Sequence, residues 1–306
     1  MTMRKLFVTL LVAVSGWLAA PAHAALRVLA CEPEWGALAQ ELGGPLVDVS
    51  VATTALQNPH QIQAKPSLIA RARNADLLAC TGAELEVGWL PVLLQQSGNA
   101  KIQPGQPGNF AAADFVRKLE VPAQVDRSQG DVHAAGNPHI QSDPRNIALV
   151  ATALTARLQQ LDASNASAYA NHGRDFQQRW QQAMGRWTTK AAPLKGMAVV
   201  SQHKAFPYLY DWLGMKEVAV LEPKPGVEPS VSHLQQVLAS LKTQPARLVV
   251  YAAYQDGRPS EWLQKNAGMP TARLPFTVGG SDGAKDLFGL FDDTLDRLLA
   301  AAGAAK

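Results

Sequence analysis

The chain of 306 residues has little cysteine, few charged side chains and no second long apolar run. Charged residues make up 17% of it, and its formal charge of +3 includes Arg4 and Lys5 near its start. A nearly neutral chain has no bulk attraction for nucleic acid or for an anionic membrane surface. Beyond the apolar run from Leu6 to Ala20, no stretch approaches the ~20 apolar residues of a membrane-spanning helix. These absences argue against a nucleic-acid-binding protein and against an integral membrane protein.

The start of the chain has the three parts of a secretory signal peptide. Arg4 and Lys5 give a charged beginning, the apolar run follows, and Ala22-His23-Ala24 forms a small-x-small cleavage site. We therefore expect export, cleavage near Ala24 and a periplasmic mature chain. Its hydrophobic content of 47% is ordinary for a globular protein with well-buried cores.

Only two cysteines are present, Cys31 and Cys80. An oxidising compartment favours a bonded pair, and both cysteines follow short apolar strands that we expect to be neighbours. The alternative treats Val28 to Cys31 as a lipidation box. It is the weaker interpretation, because Arg27 and Pro21 separate that cysteine from the apolar run. The sequence therefore predicts one disulfide.

Short apolar strands alternate with helical segments before residue 92 and again after residue 196, with a long helix-prone stretch between them. This alternation predicts an α/β protein of two lobes, each a parallel β-sheet flanked by helices, joined by a long rigid linking helix. The predicted boundaries are a signal peptide at 1–24, an N-terminal lobe at 25–163, the linking helix at 164–192 and a C-terminal lobe at 193–306.

Three histidines fall in similar settings. His60 and His139 lie in Asn-Pro-His loops, and His203 directly follows a predicted strand. Open α/β sheets bind their ligands at the carboxyl ends of strands. A lone loop histidine is more often solvated, but three neutral imidazoles suit zinc, with the fourth position taken by a carboxylate or water. Two ligands in one lobe and one in the other predict an ion in the cleft between the lobes.

Four segments, in the same order along the chain, resemble those of a known family. They are Asn58-Pro59-His60 with Pro66-Ser67, Gly82 with Glu86 and Trp89-Leu90, Pro138-His139 with Asp143-Pro144, and Ser201 with His203, Ala205 and Phe206. The family is the metal-specific solute-binding proteins of ABC importers, the zinc and manganese cluster. The resemblance runs from about Leu26 to the C-terminus.

This resemblance implies that His60, His139 and His203 hold the metal. Zinc-preferring relatives use three histidines, whereas manganese-preferring relatives replace the third with glutamate and add an aspartate, since harder metals prefer oxygen. His203 therefore favours Zn²⁺ over Mn²⁺ as the cargo. The resemblance also implies a monomer that captures the ion with high affinity, with or without a metallochaperone as donor, and passes it to an ABC permease and its ATPase.

Three further residues are candidates at the site. Asp282 lies on the loop where some relatives carry a fourth ligand, but the simplest alignment places an uncharged residue there, so Asp282 and water remain open. Glu86 has three alternative roles: metal ligand, acceptor for a histidine N–H, or structural contact near Trp89. We favour the acceptor role. His133, six residues before His139, captures metal at the cleft mouth or is a solvated loop histidine, which is the more frequent case.

Other functions fit the pattern less well. An exported zinc-dependent hydrolase needs a positioned general base, yet the chain contains no His-Glu-x-x-His or Gly-x-Ser-x-Gly motif. A surface adhesin with the same fold needs an anchor that the sequence does not convincingly supply. A binding protein for an organic solute or a metal chelate does not need three such histidines. We therefore predict a non-enzymatic metal-binding protein whose lobes move little, because one long helix is a stiff hinge.

Overall fold

The computed structural model describes residues 24–124, 130 and 132–304. The predicted signal segment before Ala24 lies outside these residues. Within the described ranges, no helix combines the length and apolarity needed to cross a membrane.

The N-terminal lobe is a four-stranded parallel sheet in the order β2-β1-β3-β4. Its strands are β1 Leu26–Ala30, β2 Val47–Val51, β3 Leu77–Cys80 and β4 Asn109–Ala111. Three helices pack with it: α1 Pro33–Gly43, α2 Pro66–Asn74 and α3 Leu90–Ser97. Proline occupies the first or second position of each helix, where its missing N–H removes no helical hydrogen bond.

The C-terminal lobe repeats this arrangement, with a parallel sheet in the order β6-β5-β7-β8. Its strands are β5 Ala198–Ser201, β6 Lys216–Val220, β7 Leu248–Ala252 and β8 Thr271–Leu274. Its helices are α6 Pro207–Leu213, α7 Val231–Ser240, α8 Arg258–Ala267 and α9 Leu287–Ala304. In both sheets the strand that begins the lobe is central, so the loop after it faces the cleft.

Two helices connect the sheets, α4 Pro144–Leu161 and the 25-residue α5 Ala166–Lys190. Helix α4 begins at Pro144 because the Asp143 carboxylate accepts a hydrogen bond from Arg145 N at 2.7 Å, which caps the first turn. Single turns of 3-10 helix occur at Gly44–Leu46, Ala100–Ile102, Ala112–Phe115, Ile140–Ser142, Ala163–Asn165 and Ala192–Leu194. The predicted class, two parallel-sheet lobes joined by a long helix, is confirmed.

One apolar cluster runs continuously from the first sheet to the second through α1, α4, α5 and α9. Trp180 and Trp187 of α5 are fully buried in it and pack against Phe291 of α9. Swinging the lobes apart would therefore expose well-packed aromatic surface. The long helix α5 is embedded in a core that both lobes share. The connection between the lobes is therefore stiffer than a single exposed helix would make it.

The predicted disulfide is confirmed, since Cys31 and Cys80 are bonded with a Cα–Cα distance of 4.7 Å. Cys31 follows β1 and Cys80 ends β3, and these strands pair in parallel with Ala30 opposite Ala79. Their side chains lie in a small apolar cluster together with Trp89. The bond thus ties two strand ends at the edge of the sheet that faces the cleft.

Candidate metal centre

The structure brings His60, His139 and His203 together at the cleft between the lobes. Each offers a ring nitrogen, and the three nitrogens lie within 4.8 Å of one another. His60 stands on the loop between β2 and α2, His139 on the loop before α4, and His203 directly after β5. The first two histidines therefore come from one lobe and the third from the other.

The two Asn-Pro-His segments fold alike. The side-chain oxygen of Asn58 accepts a hydrogen bond from His60 N at 3.0 Å, and that of Asn137 accepts one from His139 N at 3.0 Å. Such a bond from an asparagine to the amide two residues later closes a tight turn around the intervening proline. Each segment thus presents its histidine from a turn that its own sequence specifies.

Glu222 orients His203. Its Oε2 lies 2.7 Å from His203 Nδ1 and also accepts a hydrogen bond from Gly226 N at 2.9 Å. A carboxylate at this distance keeps the hydrogen on Nδ1, so the lone pair of Nε2 is left for a metal. The sequence reasoning missed Glu222. Its position just after β6 could have marked it as a candidate, but its contact with His203 follows from the pairing of β6 with β5, which the sequence alone does not specify.

The nitrogen spacing fits tetrahedral zinc. The Nε2 atoms of His139 and His203 are 3.4 Å apart. Zn–N bonds of about 2.0–2.1 Å at a tetrahedral angle separate two ligand nitrogens by about 3.4 Å. Among the described residues, the buried Nε2 of His60 has no hydrogen-bond partner. Within the described part of the chain, the Nε2 of His60 is thus free of protein partners, and those of His139 and His203 meet only each other, so all three can turn to a metal ion.

The site keeps two of its imidazoles uncharged. Burial lowers the pKa of His60 to about 3, with smaller contributions from His203 and His133. Burial likewise holds the pKa of His139 well below its usual range, helped by His60, His203 and His133. A metal ligand must be unprotonated, so both histidines already have the form that binds.

His133 adjoins this group, whereas Asp282 does not. The His133 ring stacks on that of His60, with the centroids 5.2 Å apart. Asp282 is exposed and falls outside the cluster of ligand atoms. Its loop is closed by a hydrogen bond from Gly279 N to Ala284 O and tied down by Ser281 to Asp293, which leaves Asp282 at the exposed tip. Asp282, one of the two alternatives left open for the fourth position, is therefore not brought to the three histidines.

Glu86 has a different set of partners from the one we expected. Its carboxylate accepts hydrogen bonds from Thr81 N at 2.7 Å and from Gly82 N at 3.1 Å, at the end of β3. One of its oxygens also lies close to the sulfur atoms of Cys31 and Cys80. Glu86 therefore anchors the loop after β3, and the acceptor that we expected it to provide for a histidine is supplied by Glu222 at His203.

Comparisons with known proteins show the family of the chain. The family model described as "Zinc-uptake complex component A periplasmic" matches residues 28–301. The chain belongs to this family. It is 22% identical over 242 residues to the high-affinity zinc uptake system protein ZnuA of Bacillus subtilis, covering 78% of this chain and 74% of that protein.

Members named for different metals resemble the chain to a similar degree. It is 20% identical over 289 residues to the manganese ABC transporter substrate-binding lipoprotein PsaA of Streptococcus pneumoniae, covering 92% of this chain and 90% of that protein. A crystal structure of ZnuA superposes with a TM-score of 0.73 at 20% identity, over 92% of this chain and 98% of that one. The structure of the Mn-bound periplasmic metal binding protein from Candidatus Liberibacter asiaticus superposes with a TM-score of 0.73 at 17% identity, over 90% of this chain and 99% of that one. The zinc-uptake component A fold is therefore shared across metals, and similarity alone does not choose the ion.

Three glutamates are buried where the start of α1 meets the end of β3. We call Glu32, Glu34 and Glu86 the carboxyl cluster. All are almost completely inaccessible to solvent, and among the described residues none forms an ion pair. Burial raises the pKa of Glu34 and of Glu86 to about 7 and that of Glu32 well above its usual range. Glu34 also links the lobes, because it accepts a hydrogen bond from the Thr277 hydroxyl while its own N donates to that oxygen at 3.1 Å.

Replacing Glu34 with glutamine should change how stability depends on pH. Burial raises the pKa of Glu34 from 4.5 to about 7. The stabilising contribution of Glu34 to the free energy of unfolding is therefore fully present below pH 4.5 and is lost as the pH rises through 7. Glutamine cannot ionise. The free energy of unfolding of Glu34→Gln, relative to the unsubstituted chain, should rise by roughly 1–3 kcal/mol between pH 5 and pH 8. Urea unfolding of the metal-free chains measures this difference.

Exposed Glu228 provides the matched substitution for this experiment. The Glu228→Gln variant should follow the pH profile of the unsubstituted chain. A Glu34→Gln curve that runs parallel to the unsubstituted one across this range would contradict the raised pKa.

Proposed function

We propose that this chain captures a divalent transition metal ion, zinc first, in the periplasm and delivers it to an ABC permease and its ATPase. The observation that carries the proposal is the convergence of three histidine nitrogens, with the Nε2 atoms of His139 and His203 3.4 Å apart, at the cleft between the lobes. Relatives are named for zinc and for manganese uptake. Three nitrogen donors favour Zn²⁺ over Mn²⁺, which prefers oxygen.

The fourth position is proposed to hold water. No described carboxylate shares the cluster of ligand atoms with the three histidines. Water completes a tetrahedral zinc site when the protein supplies three ligands. The same absence disfavours a hydrolase, which needs a general base beside that water, and the nearest acidic partner, Glu222, is engaged with His203 Nδ1.

We propose that loading changes the loops of the site more than the relative position of the lobes. The lobes at 25–163 and 193–306 share one apolar core with the link at 164–192. Opening that core costs well-packed apolar contacts, whereas the histidine loops lie at its edge.

His133 is proposed as an accessory donor at the cleft mouth. It lines a cavity of about 440 Å³ that also reaches His139 and His203, and its ring lies against that of His60. From there it can bind a hydrated ion before the inner histidines replace the ion's water ligands. Its removal should slow zinc capture without changing the number of ions bound.

Competition titration of the metal-free mature chain with zinc and manganese tests the proposal. We expect one tight equivalent of zinc and markedly weaker manganese binding. The His133→Ala variant should keep that stoichiometry but bind zinc more slowly in stopped-flow measurements. In cells lacking the chain, its expression should restore growth under zinc limitation. Absence of tight zinc binding would reject zinc capture, and an unchanged association rate in His133→Ala would reject the accessory role.

A further inference from the structure

The backbone on both sides of His60 is contacted by the loop that follows β3. The indole Nε1 of Trp89 donates a hydrogen bond to Pro59 O at 2.9 Å. Gly88 lies so close that an added Cβ would stand 3.0 Å from His60 O. These two carbonyls flank the Cα of His60, so residues 88 and 89 contact both peptide groups that determine where its ring points.

His60 depends on such contacts more than His203 does. No described residue forms a hydrogen bond to the His60 ring, and its Nε2 is buried without a partner. The ring of His203, in contrast, is held by Glu222. The direction of the His60 ring is therefore set mainly through its backbone and through ring contacts.

The loop after β3 adopts a costly conformation. Gly82, Ala83 and Glu84 have φ values of 76°, 48° and 67°, which places three successive residues in the left-handed region. For a residue other than glycine this backbone conformation is unfavourable, and it persists only where the surroundings enforce it. Here Glu86 holds one end through Thr81 N and Gly82 N, and the Glu84 carboxylate accepts a hydrogen bond from Ala134 N at 2.5 Å.

This loop therefore connects three parts of the site. Glu86 fixes it to the end of β3, Glu84 ties it to the segment next to His133, and Trp89 ends it against the backbone of His60. The Trp89 ring is buried with the disulfide in the small apolar cluster, which fixes where its N–H points. Segment 82–89 is strained and fixed at three places, so we expect it to be rigid enough to position His60.

We propose that Trp89 is a positioning residue for the metal site. Its indole N–H, held in place by segment 82–89, keeps His60 in the orientation that binds the ion and so slows release of the ion. The ring contributes to the core, whereas the N–H contributes to the metal site. This inference rests on the proposed function, because it takes His60 as a ligand.

The Trp89→Phe variant separates the two contributions, since phenylalanine keeps an aromatic ring and removes the donor. We expect zinc affinity to fall by about 3- to 10-fold, which is the effect of one lost hydrogen bond. The dissociation rate of zinc should rise by the same factor. The visible spectrum of the Co²⁺ form should also shift, because the geometry of the ligands alters those bands.

Trp187→Phe is the matched control. Trp187 is equally buried, and its Nε1 donates a hydrogen bond at 2.8 Å to Asp292, which is no part of the histidine group. The Trp187→Phe variant should lower the Tm about as much as Trp89→Phe does, and it should leave zinc affinity and the Co²⁺ spectrum unchanged. In the His60→Ala background, Trp89→Phe should have no further effect on zinc binding.

The outcomes distinguish the two proposals. If the unsubstituted chain binds no zinc tightly, the proposed function fails. If that chain binds zinc but Trp89→Phe leaves affinity and spectrum unchanged, or Trp187→Phe changes them equally, the positioning role is overturned and the proposed function stands. An equal effect of Trp89→Phe with and without His60 would likewise overturn it, since that pattern indicates a structural role alone.

Discussion

Replacing His60, His139 and His203 together with alanine should abolish tight zinc binding while the chain stays folded. Structural zinc sites in zinc-finger peptides are held by about 10–16 kcal/mol, so losing every protein ligand should lower the affinity at least about a thousand-fold. The fold should survive because all three histidines stand on loops outside the strands and α-helices, and alanine leaves the shared apolar core of the two lobes in place. Metal analysis and competition titration of the metal-free chains measure the loss.

Thermal unfolding adds a second measurement to this prediction. An ion that binds only the folded chain stabilises it by about 4 kcal/mol at a thousand times its Kd. The unsubstituted chain should therefore show a clear rise in Tm with zinc, and the triple variant none. His172→Ala is the control, because Nδ1 of His172 bonds to Leu42 O near the C-terminal end of α1 and His172 is no part of the histidine group. A tight zinc equivalent retained in the triple variant would refute the assignment.

The features that the sequence predicted best are those set by local chemistry. Asn-Pro-His is a turn by itself, because asparagine closes on the amide two residues later, and this places His60 and His139 alike. The Cys31–Cys80 bond followed from the alternation of strands, since parallel neighbours bring their ends to one edge. The order of β and α elements likewise led directly to the two parallel sheets.

What could not be predicted depends on which elements become neighbours. Glu222 meets His203 only because β6 pairs with β5, a pairing that no local pattern specifies. The carboxyl cluster assembles from the start of α1 and the loop after β3, and Glu34 reaches Thr277 across 243 positions of sequence. The place of Asp282 stayed open from the sequence, because the path of its loop is decided by hydrogen bonds between neighbours such as Ser281 and Asp293.

Glu222 is the residue outside the three histidines whose loss should weaken zinc binding most. Its carboxylate fixes the hydrogen of His203 on Nδ1 and makes Nε2 a better donor. Removing such a partner typically costs about 10- to 100-fold in metal affinity, and we expect this loss for Glu222→Ala. Glu222→Gln should lie between, because an amide oxygen still accepts from Nδ1 but carries no charge. Competition titrations of both variants and the unsubstituted chain measure the order of their zinc affinities.

Glu228→Gln separates orientation from general electrostatics in this experiment. Glu228 lines the same cavity of about 550 Å³ as Glu222, and removing its charge changes the field of the cleft without touching a histidine. If Glu222 acts by orienting His203, Glu228→Gln should bind zinc as the unsubstituted chain does. Equal losses in Glu222→Gln and Glu228→Gln would mean that the negative charge of the cleft is what matters. Combining Glu222→Ala with His203→Ala decides between these explanations, because an orienting carboxylate has no further effect once the ring it holds is gone.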